Sequence, residues 1–444
     1  MREGHRVLDA DAHVMEPGGL FGDAAVPGLA AFDLPPGTPT LLRGRPDRAA
    51  DQVQHGFDAP SYLRAMDVEG IDAAVLYPSF GLWVPFQPEL GARGSARACD
   101  LYNEWVADYC SAAPDRLAAV ALVPMADPRA AVHAARRAAD LDLVGVLLRP
   151  NFLHGRNLGD RAYDPLYETL AEAGLAVAVH EGLGLRGAPT MGSERFAGYV
   201  LRHACSHPME QMSALGSLVV DGALERHPDL RVGFLESGTG WLPFWLARLA
   251  DHLELVRDAD GWHLPLTPAE YFARQCVICA DPDDELVGDA VAHVGADHVM
   301  MASDFPHPES RYPEAVRTFL STARDCGLGP GAVDAMLWAT RRTSTECGSG
   351  SRSRRQARRS RPRRYRPRST ASPSPSASTT VRAAPGRSAC AAGRTASWSS
   401  TAPRPTLRPR SRCPPSWRAP CSSTATRNVR ARRSRQAGSA SRAT

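Results

Sequence analysis

At 444 residues the chain has room for one large domain and an appendage, and its formal charge of +4 conceals two unlike parts. All 52 basic residues are arginine: 26 follow Thr340, where Glu346 is the one acid, so that tail stands near +25, while 26 arginines against 47 acids leave residues 1–340 near −21. No run of 18 apolar residues occurs, and Met1-Arg2-Glu3-Gly4-His5 lacks the apolar core of a signal peptide, which argues against a spanning helix and predicts a cytoplasmic protein.

In chain order, eight short apolar runs alternate with segments of helical period, as repeated strand-helix units around a parallel sheet require. They are Arg6–His13, Ile71–Ser79, Leu117–Met125, Leu143–Pro150, Leu175–Gly182, Leu230–Ser237, Cys276–Asp281 and His298–His307. Asp127–Asp140 reads as a helix with Pro128 in its first turn, and Tyr163–Gly174 as one closed by a glycine. Eight such units in about 300 residues predict an α/β fold, a (β/α)₈ TIM barrel. Val26–Pro60, dense in Pro and Gly, reads as a long loop after strand one, and Glu194–Pro228 as a helical insertion after strand five. Cys99, Cys110, Cys205, Cys276, Cys279 and Cys326 are irregularly spaced, which suits reduced thiols; Cys276 and Cys279, three apart in a strand, should not share a metal.

In such a barrel the reactive groups belong at the carboxyl ends of the strands. Strand one ends Asp9-Ala10-Asp11-Ala12-His13, and a period of two puts Asp9, Asp11 and His13 on one face. Strand five delivers His180 from an otherwise apolar run, and strand eight delivers Asp304 in Ser303-Asp304-Phe305-Pro306-His307-Pro308. Two carboxylates and two imidazoles at the ends of strands one, five and eight suit a divalent ion better than they suit packing. Glu236 at the end of strand six is either a base or ligand, or an acceptor for the Gly238-Thr239-Gly240 turn. Arg149 could bind a substrate carboxylate or pair with a neighbouring acid; His207 and Glu210 on the insertion, Trp241, and His307 could face substrate or simply pack.

These motifs together resemble the amidohydrolase-related family of metal-dependent hydrolases that includes aminocarboxymuconate-semialdehyde decarboxylase. The resemblance spans residue 6 to about 338 and rests on Asp9-Ala-Asp-Ala-His13-Val-Met-Glu-Pro17, Val179-His-Glu-Gly182, Ser206-His-Pro-Met-Glu-Gln-Met212, Leu235-Glu-Ser-Gly-Thr-Gly-Trp-Leu-Pro243 and Ser303-Asp-Phe-Pro-His-Pro308. It implies one divalent ion, Zn, Mn or Mg, on Asp11, His13, His180 and Asp304, and a hydrolase or non-oxidative carboxy-lyase acting on a small carboxylated or cyclic substrate. Asp304, Glu236 and His180 would be the catalytic groups, and a homodimer is compatible. Related decarboxylases carry a histidine after strand six where this chain has Glu236, which brings negative charge toward an anionic substrate.

The tail from Arg341 is rich in Arg, Ser, Pro and Ala and poor in large apolar residues, so it is expected to be disordered, a second segment after a barrel of residues 1–340. Reading one base back from the G that ends the Trp338 codon, Ala339–Glu346 can encode Gly-Asn-Ala-Ala-His-Phe-Tyr-Gly, the string that the family's last helix is expected to contain. A frameshifted translation accounts for the tail on that reading, and an inactive pseudogene product is then an alternative. Nucleic-acid binding through the arginines is another, weakened because Tyr365, Trp398 and Trp417 are the tail's only aromatic residues for stacking.

Overall fold

The computed structural model describes residues 2–17, 19–22, 46–184, 189–256, 264–307 and 309–339. Eight parallel strands run in the order of the chain: β1 (Leu8–Val14), β2 (Ala73–Pro78), β3 (Leu117–Leu122), β4 (Gly145–Leu148), β5 (Ala176–Val179), β6 (Val232–Phe234), β7 (Cys276–Ala280) and β8 (Val299–Met301). Beyond the end of β8 the ring is closed onto β1 by backbone bonds, Asp304 N to Asp11 O at 2.9 Å and His13 N to Phe305 O at 2.8 Å. The eight predicted strands are therefore the eight barrel strands, each shorter than its apolar run, from 7 residues against 8 in β1 to 3 against 10 in β8.

Helices return the chain between strands: α1 (Ala59–Glu69), α2 (Gly91–Cys110), α3 (Pro128–Asp140), α4 (Asp164–Ala173), α5 (Tyr199–Val220), α6 (Trp241–Val256), α7 (Pro268–Gln275), α8 (Val287–Val294) and α9 (Ala315–Asp325). Their ends follow from local chemistry. Asp127 caps α3 by accepting from Arg129 N and Ala130 N ahead of Pro128, and Gly174 ends α4 with a left-handed φ of 68°. Along α3, Ala131, Ala134, Ala135 and Ala138 are buried, a small-residue stripe that lets the helix lie close to the sheet.

The stretch predicted as a long loop is helical where it is described: a 3₁₀ turn at Pro46–Ala49, a short helix at Ala50–Gln54, and α1 with Asp58 as its cap. Its prolines misled the reading because Pro46 and Pro60 stand in first turns, where the missing N–H has no intrahelical acceptor anyway. The earlier part of that loop, residues 23–45, and the arginine-rich tail from Arg341 lie outside the described residues. The insertion after β5 is α5 followed by a short helix, Ala223–Arg226. Near the end of the described chain, the Arg6 guanidinium lies 3.6 Å from the centre of the Trp338 ring.

Leu8, Ala10, Ala74, Val120, Val177 and Gly233 help line a cavity of 640 Å³ that reaches the residues preceding β3, β6 and β7. Asp11, His13, His180, Glu236 and Asp304, at the opposite, carboxyl ends of the strands, do not line it. Among the described residues no helix is long and apolar enough to cross a membrane. The six described cysteines are free, and Cys276 and Cys279 are buried in β7.

Candidate metal centre

Asp11 and His13 leave the carboxyl end of β1, His180 follows β5, and Asp304 follows β8. All four are buried; Asp11, His13 and His180 hold ligand atoms within 4.8 Å of one another, and Asp304 joins them through His13. Asp11 Oδ1 stands 3.6 Å from both His13 Nε2 and His180 Nε2, and Asp304 Oδ1 is 3.2 Å from His13 Nε2. Both oxygens of Asp11, both oxygens of Asp304, and the Nε2 atoms of the two histidines are buried without a hydrogen-bond partner. Six orphaned polar atoms at one place would be costly unless a cation joins them. Atoms bound at about 2.0–2.2 Å to one ion lie about 3.0 Å apart in octahedral and about 3.4 Å apart in tetrahedral geometry, close to the observed separations. The residues therefore fit a divalent ion.

The ring orientation fits as well. His13 Nδ1 is 2.9 Å from Pro78 O and His180 Nδ1 is 2.5 Å from Glu181 O. A carbonyl can only accept, so each Nδ1 carries a proton and Nε2 is the atom each ring turns to the centre. Burial alone would lower the His13 pKa, but the neighbouring carboxylates of Asp304 and Asp11 overrule it and raise it to about 9 when no cation is bound. Burial would raise Asp304, yet the neighbouring His307 keeps it below its ordinary value. Binding of a cation at these groups would displace protons.

Asp9 does not join the quartet. A shift of register between Asp9 and Ala12 breaks the alternation predicted for β1, and the Asp9 carboxylate instead accepts from Ser303 N at 2.9 Å and from Ser303 Oγ, tying β1 to β8. Burial raises its pKa to about 7.

Glu236, just beyond β6, has the left-handed φ of 47°, and Asp304 has 54°, sparsely populated conformations for residues with a Cβ. The turn that could have satisfied Glu236 bonds elsewhere: Thr239 N and Oγ1 both donate to Asp284. Glu236 faces imidazoles instead, with Oε2 3.5 Å from His180 Nε2 and 3.3 Å from His207 Nε2, and Oε1 3.4 Å from His203 Nε2. Burial pushes Glu236 upward, but the His207, His203 and His180 imidazoles beside it hold it well below the usual carboxylate range. His203 was not anticipated, nor was Glu309, whose Oε1 is 3.3 Å from His203 Nε2 and accepts from Tyr199 Oη. The i, i+4 spacing of His203 and His207 was the available signal.

The remaining predicted residues divide. His307 stacks on His13 at 3.8 Å between ring centres, with Nδ1 3.0 Å from Asp304 Oδ1 and Nε2 2.9 Å from Ser79 Oγ. Trp241 stands at the start of α6, its Nε1 donating to Ser237 Oγ at 3.1 Å. Arg149 is fully buried, donating to Asn151 Oδ1, Leu82 O and Glu181 Oε1 at 3.0–3.1 Å. Glycine at 182 leaves room for it, because a Cβ there would lie 2.6 Å from the guanidinium and push it off its partners. Glu210 is buried on α5 and accepts from Met191 N at 2.6 Å.

Comparison with known proteins places this arrangement. The family model described as Amidohydrolase matches residues 8–340. The chain is 25% identical over 287 residues to 2-amino-3-carboxymuconate-6-semialdehyde decarboxylase of Dictyostelium discoideum, covering 63% of this chain and 76% of that protein. It is also 25% identical over 251 residues to gamma-resorcylate decarboxylase of Rhizobium radiobacter, 55% of this chain and 75% of that one. The same fold occurs in 5-carboxyvanillate decarboxylase from Novosphingobium aromaticivorans, crystallised with manganese and 4-hydroxy-3-methoxy-5-nitrobenzoic acid: TM-score 0.60, 17% identity, 77% of this chain and 96% of that chain.

Proposed function

Because this chain belongs to the amidohydrolase family, we propose that it is a metal-dependent carboxy-lyase that releases CO₂, without an oxidant, from a small carboxylated cyclic compound. The observation that carries the reading is the group of orphaned buried atoms on Asp11, His13, His180 and Asp304. When bound there, a divalent ion of the Zn, Mn or Mg class supplies a Lewis acid for substrate oxygens.

Asp304 is the residue that moves a proton. It delivers one to the carbon that loses its carboxylate: the carbon–carbon bond breaks, its electron pair stays on that carbon and takes the proton, and CO₂ leaves. His307, 3.0 Å from Asp304 Oδ1 and backed by Ser79 Oγ, is placed to restore that proton. His180 holds its Nε2 toward the centre, and His207 and Trp241 border the approach. Arg149, its donors already engaged inside the fold, shapes the pocket without touching substrate. We read residues 1–340 as the catalytic domain of a cytoplasmic enzyme with a small-molecule substrate.

One observation favours hydrolysis as a second reading. Glu236 puts a further carboxylate beside His180, where it would repel an anionic substrate but could take a proton from an attacking water. Metal analysis of the wild-type chain beside Asp304→Asn, with CO₂ release from hydroxylated aromatic acids and hydrolysis of lactones and amides as parallel assays, tests both. A wild-type chain without a stoichiometric divalent ion would defeat the proposal; lactone or amide turnover without CO₂ release would replace it by the second reading.

A further inference from the structure

We propose that the mouth of the barrel holds a second divalent transition-metal ion, bound by His203 and His207 of α5 together with Glu236 and Glu309, with Glu236 shared between the two ions. The inference rests on the first ion being bound as proposed above, because the shared carboxylate has a role only if both neighbours are present.

The separations favour a metal over a direct hydrogen-bonded network. His203 Nε2 lies 3.4 Å from Glu236 Oε1 and 3.3 Å from Glu309 Oε1, and His207 Nε2 lies 3.3 Å from Glu236 Oε2. Charge-assisted N–H···O bonds are shorter, about 2.7–2.9 Å. Two atoms bound to one ion at about 2.1 Å stand about 3.0–3.4 Å apart, which is the spacing found. His203, His207 and Glu236 each offer a ligand atom within 4.8 Å of the others, as do Glu236, Asp304 and Glu309.

Two further observations point the same way. His207 Nδ1 lies 3.1 Å from Ser206 Oγ and 3.2 Å from the carbonyl of His203, which leaves Nε2 as the ring atom turned toward the Glu236 carboxylate. Secondly, Asp11, Asp304, Glu236 and Glu309 bring four carboxylates to one mouth, and the nearby buried guanidinium of Arg149 is already paired with Glu181. With the histidines bound as neutral ligands, one divalent ion offsets half of that charge and a second offsets the rest. An added ion would also counter the repulsion that Glu236 presents to an anionic substrate.

The placement of α5 is specific to this purpose. His203, His207 and Gln211 recur every four residues and so share one face of the helix. The buried Gln211 Nε2 donates to Val179 O at 2.8 Å and to Leu235 O at 3.0 Å, the carbonyls just before His180 and Glu236. One side chain thereby fixes the helix that carries two ligands against the strand ends that carry the other site and the shared carboxylate.

The test is the metal content of the full chain after saturation with Mn²⁺ or Zn²⁺ and desalting, read by mass spectrometry, with the electron paramagnetic resonance of the Mn²⁺ form. Two ions per chain and a spin-coupled manganese signal are expected. His203→Ala/His207→Ala should retain one ion and give the six-line signal of isolated Mn²⁺. One ion per chain in both proteins overturns the second site and leaves the first standing; no ion in the wild type overturns both. If the double variant fails to fold, as circular dichroism would report, Glu309→Gln at the rim replaces it. Its second ion should then bind at least tenfold more weakly, and unchanged binding counts against the proposal.

Discussion

The two groups of ligand-type side chains at the barrel mouth differ in what holds them. Asp11, His13, His180 and Asp304 project from the ends of β1, β5 and β8, locked to each other through barrel hydrogen bonds, and all are buried. His203, His207, Glu236 and Glu309 come from a helix, a strained turn and a loop, and His203 and Glu309 remain partly exposed. The first group is rigid because the sheet is rigid. The second depends on how α5 docks, so it is the part of the mouth that sequence change can alter without dismantling the barrel.

Asp304→Asn puts the strongest strain on this contrast. It removes a ligand charge and the proposed proton donor while leaving the shape intact, so CO₂ release should fall by about 10³-fold or more, and the tightly bound ion should weaken with it. A variant that kept both its metal and its turnover would show that the strand-end group is structural. The corresponding loss on removing His203 should be confined to the second ion.

How much of this could be read from the chain follows the same division. Strand-end residues were legible because a buried apolar strand that turns polar at its carboxyl end must give those groups a partner at the barrel mouth, as at Val179-His180 and Ser303-Asp304. His203 was not, since an i, i+4 pair on a helix is common and gains meaning only when the helix is docked. Glu236 stayed ambiguous because the competitor for the following turn, Asp284, which takes both donors of Thr239, lies 48 residues later. The bond of Asp9 to β8 could not be foreseen because an irregularity in β1 pairing leaves no trace in residue type. Arg149 could not be settled either: Glu181 and Leu82, its partners, belong to other strand ends and loops.

That Arg149–Glu181 pair supplies the next test, a control for the rigid group. Both side chains are fully buried, so Arg149→Met strands an uncompensated carboxylate and should cost about 3–5 kcal/mol, seen as a lowered midpoint in urea. If Arg149 bound substrate instead, the variant would raise KM at nearly unchanged stability.

Glu210 probes the docked helix through pH. Burial raises its pKa to about 7, against which the hydrogen bond from Met191 N works only in part. Its folded pKa thus exceeds the unfolded value of about 4.5, so the unfolded chain releases its proton first. This costs the fold nothing below pH 4.5, and stability declines as pH rises from about 4.5 to about 7, by up to about 3 kcal/mol. Glu210→Gln should flatten that slope in denaturation midpoints measured between pH 5 and 8. An unchanged slope would place the titration elsewhere.

Gln211 should give the smallest effect and the most specific one. Replacement by Leu keeps the volume of the side chain but leaves the carbonyls of Val179 and Leu235 without that donor, a loss of about 1–3 kcal/mol. Each of those carbonyls keeps the backbone bond or packing of its own strand, so the barrel should remain folded and the first ion bound. What the variant releases is the orientation of α5, which the two bonds set one turn beyond His207. The second ion should therefore be lost at lower chelator concentration than in the wild type, while the first resists as before. Equal weakening of the two ions would mean that the strand ends and the helix form one cooperative unit, and that the contrast between a rigid group and a docked one does not hold at this mouth.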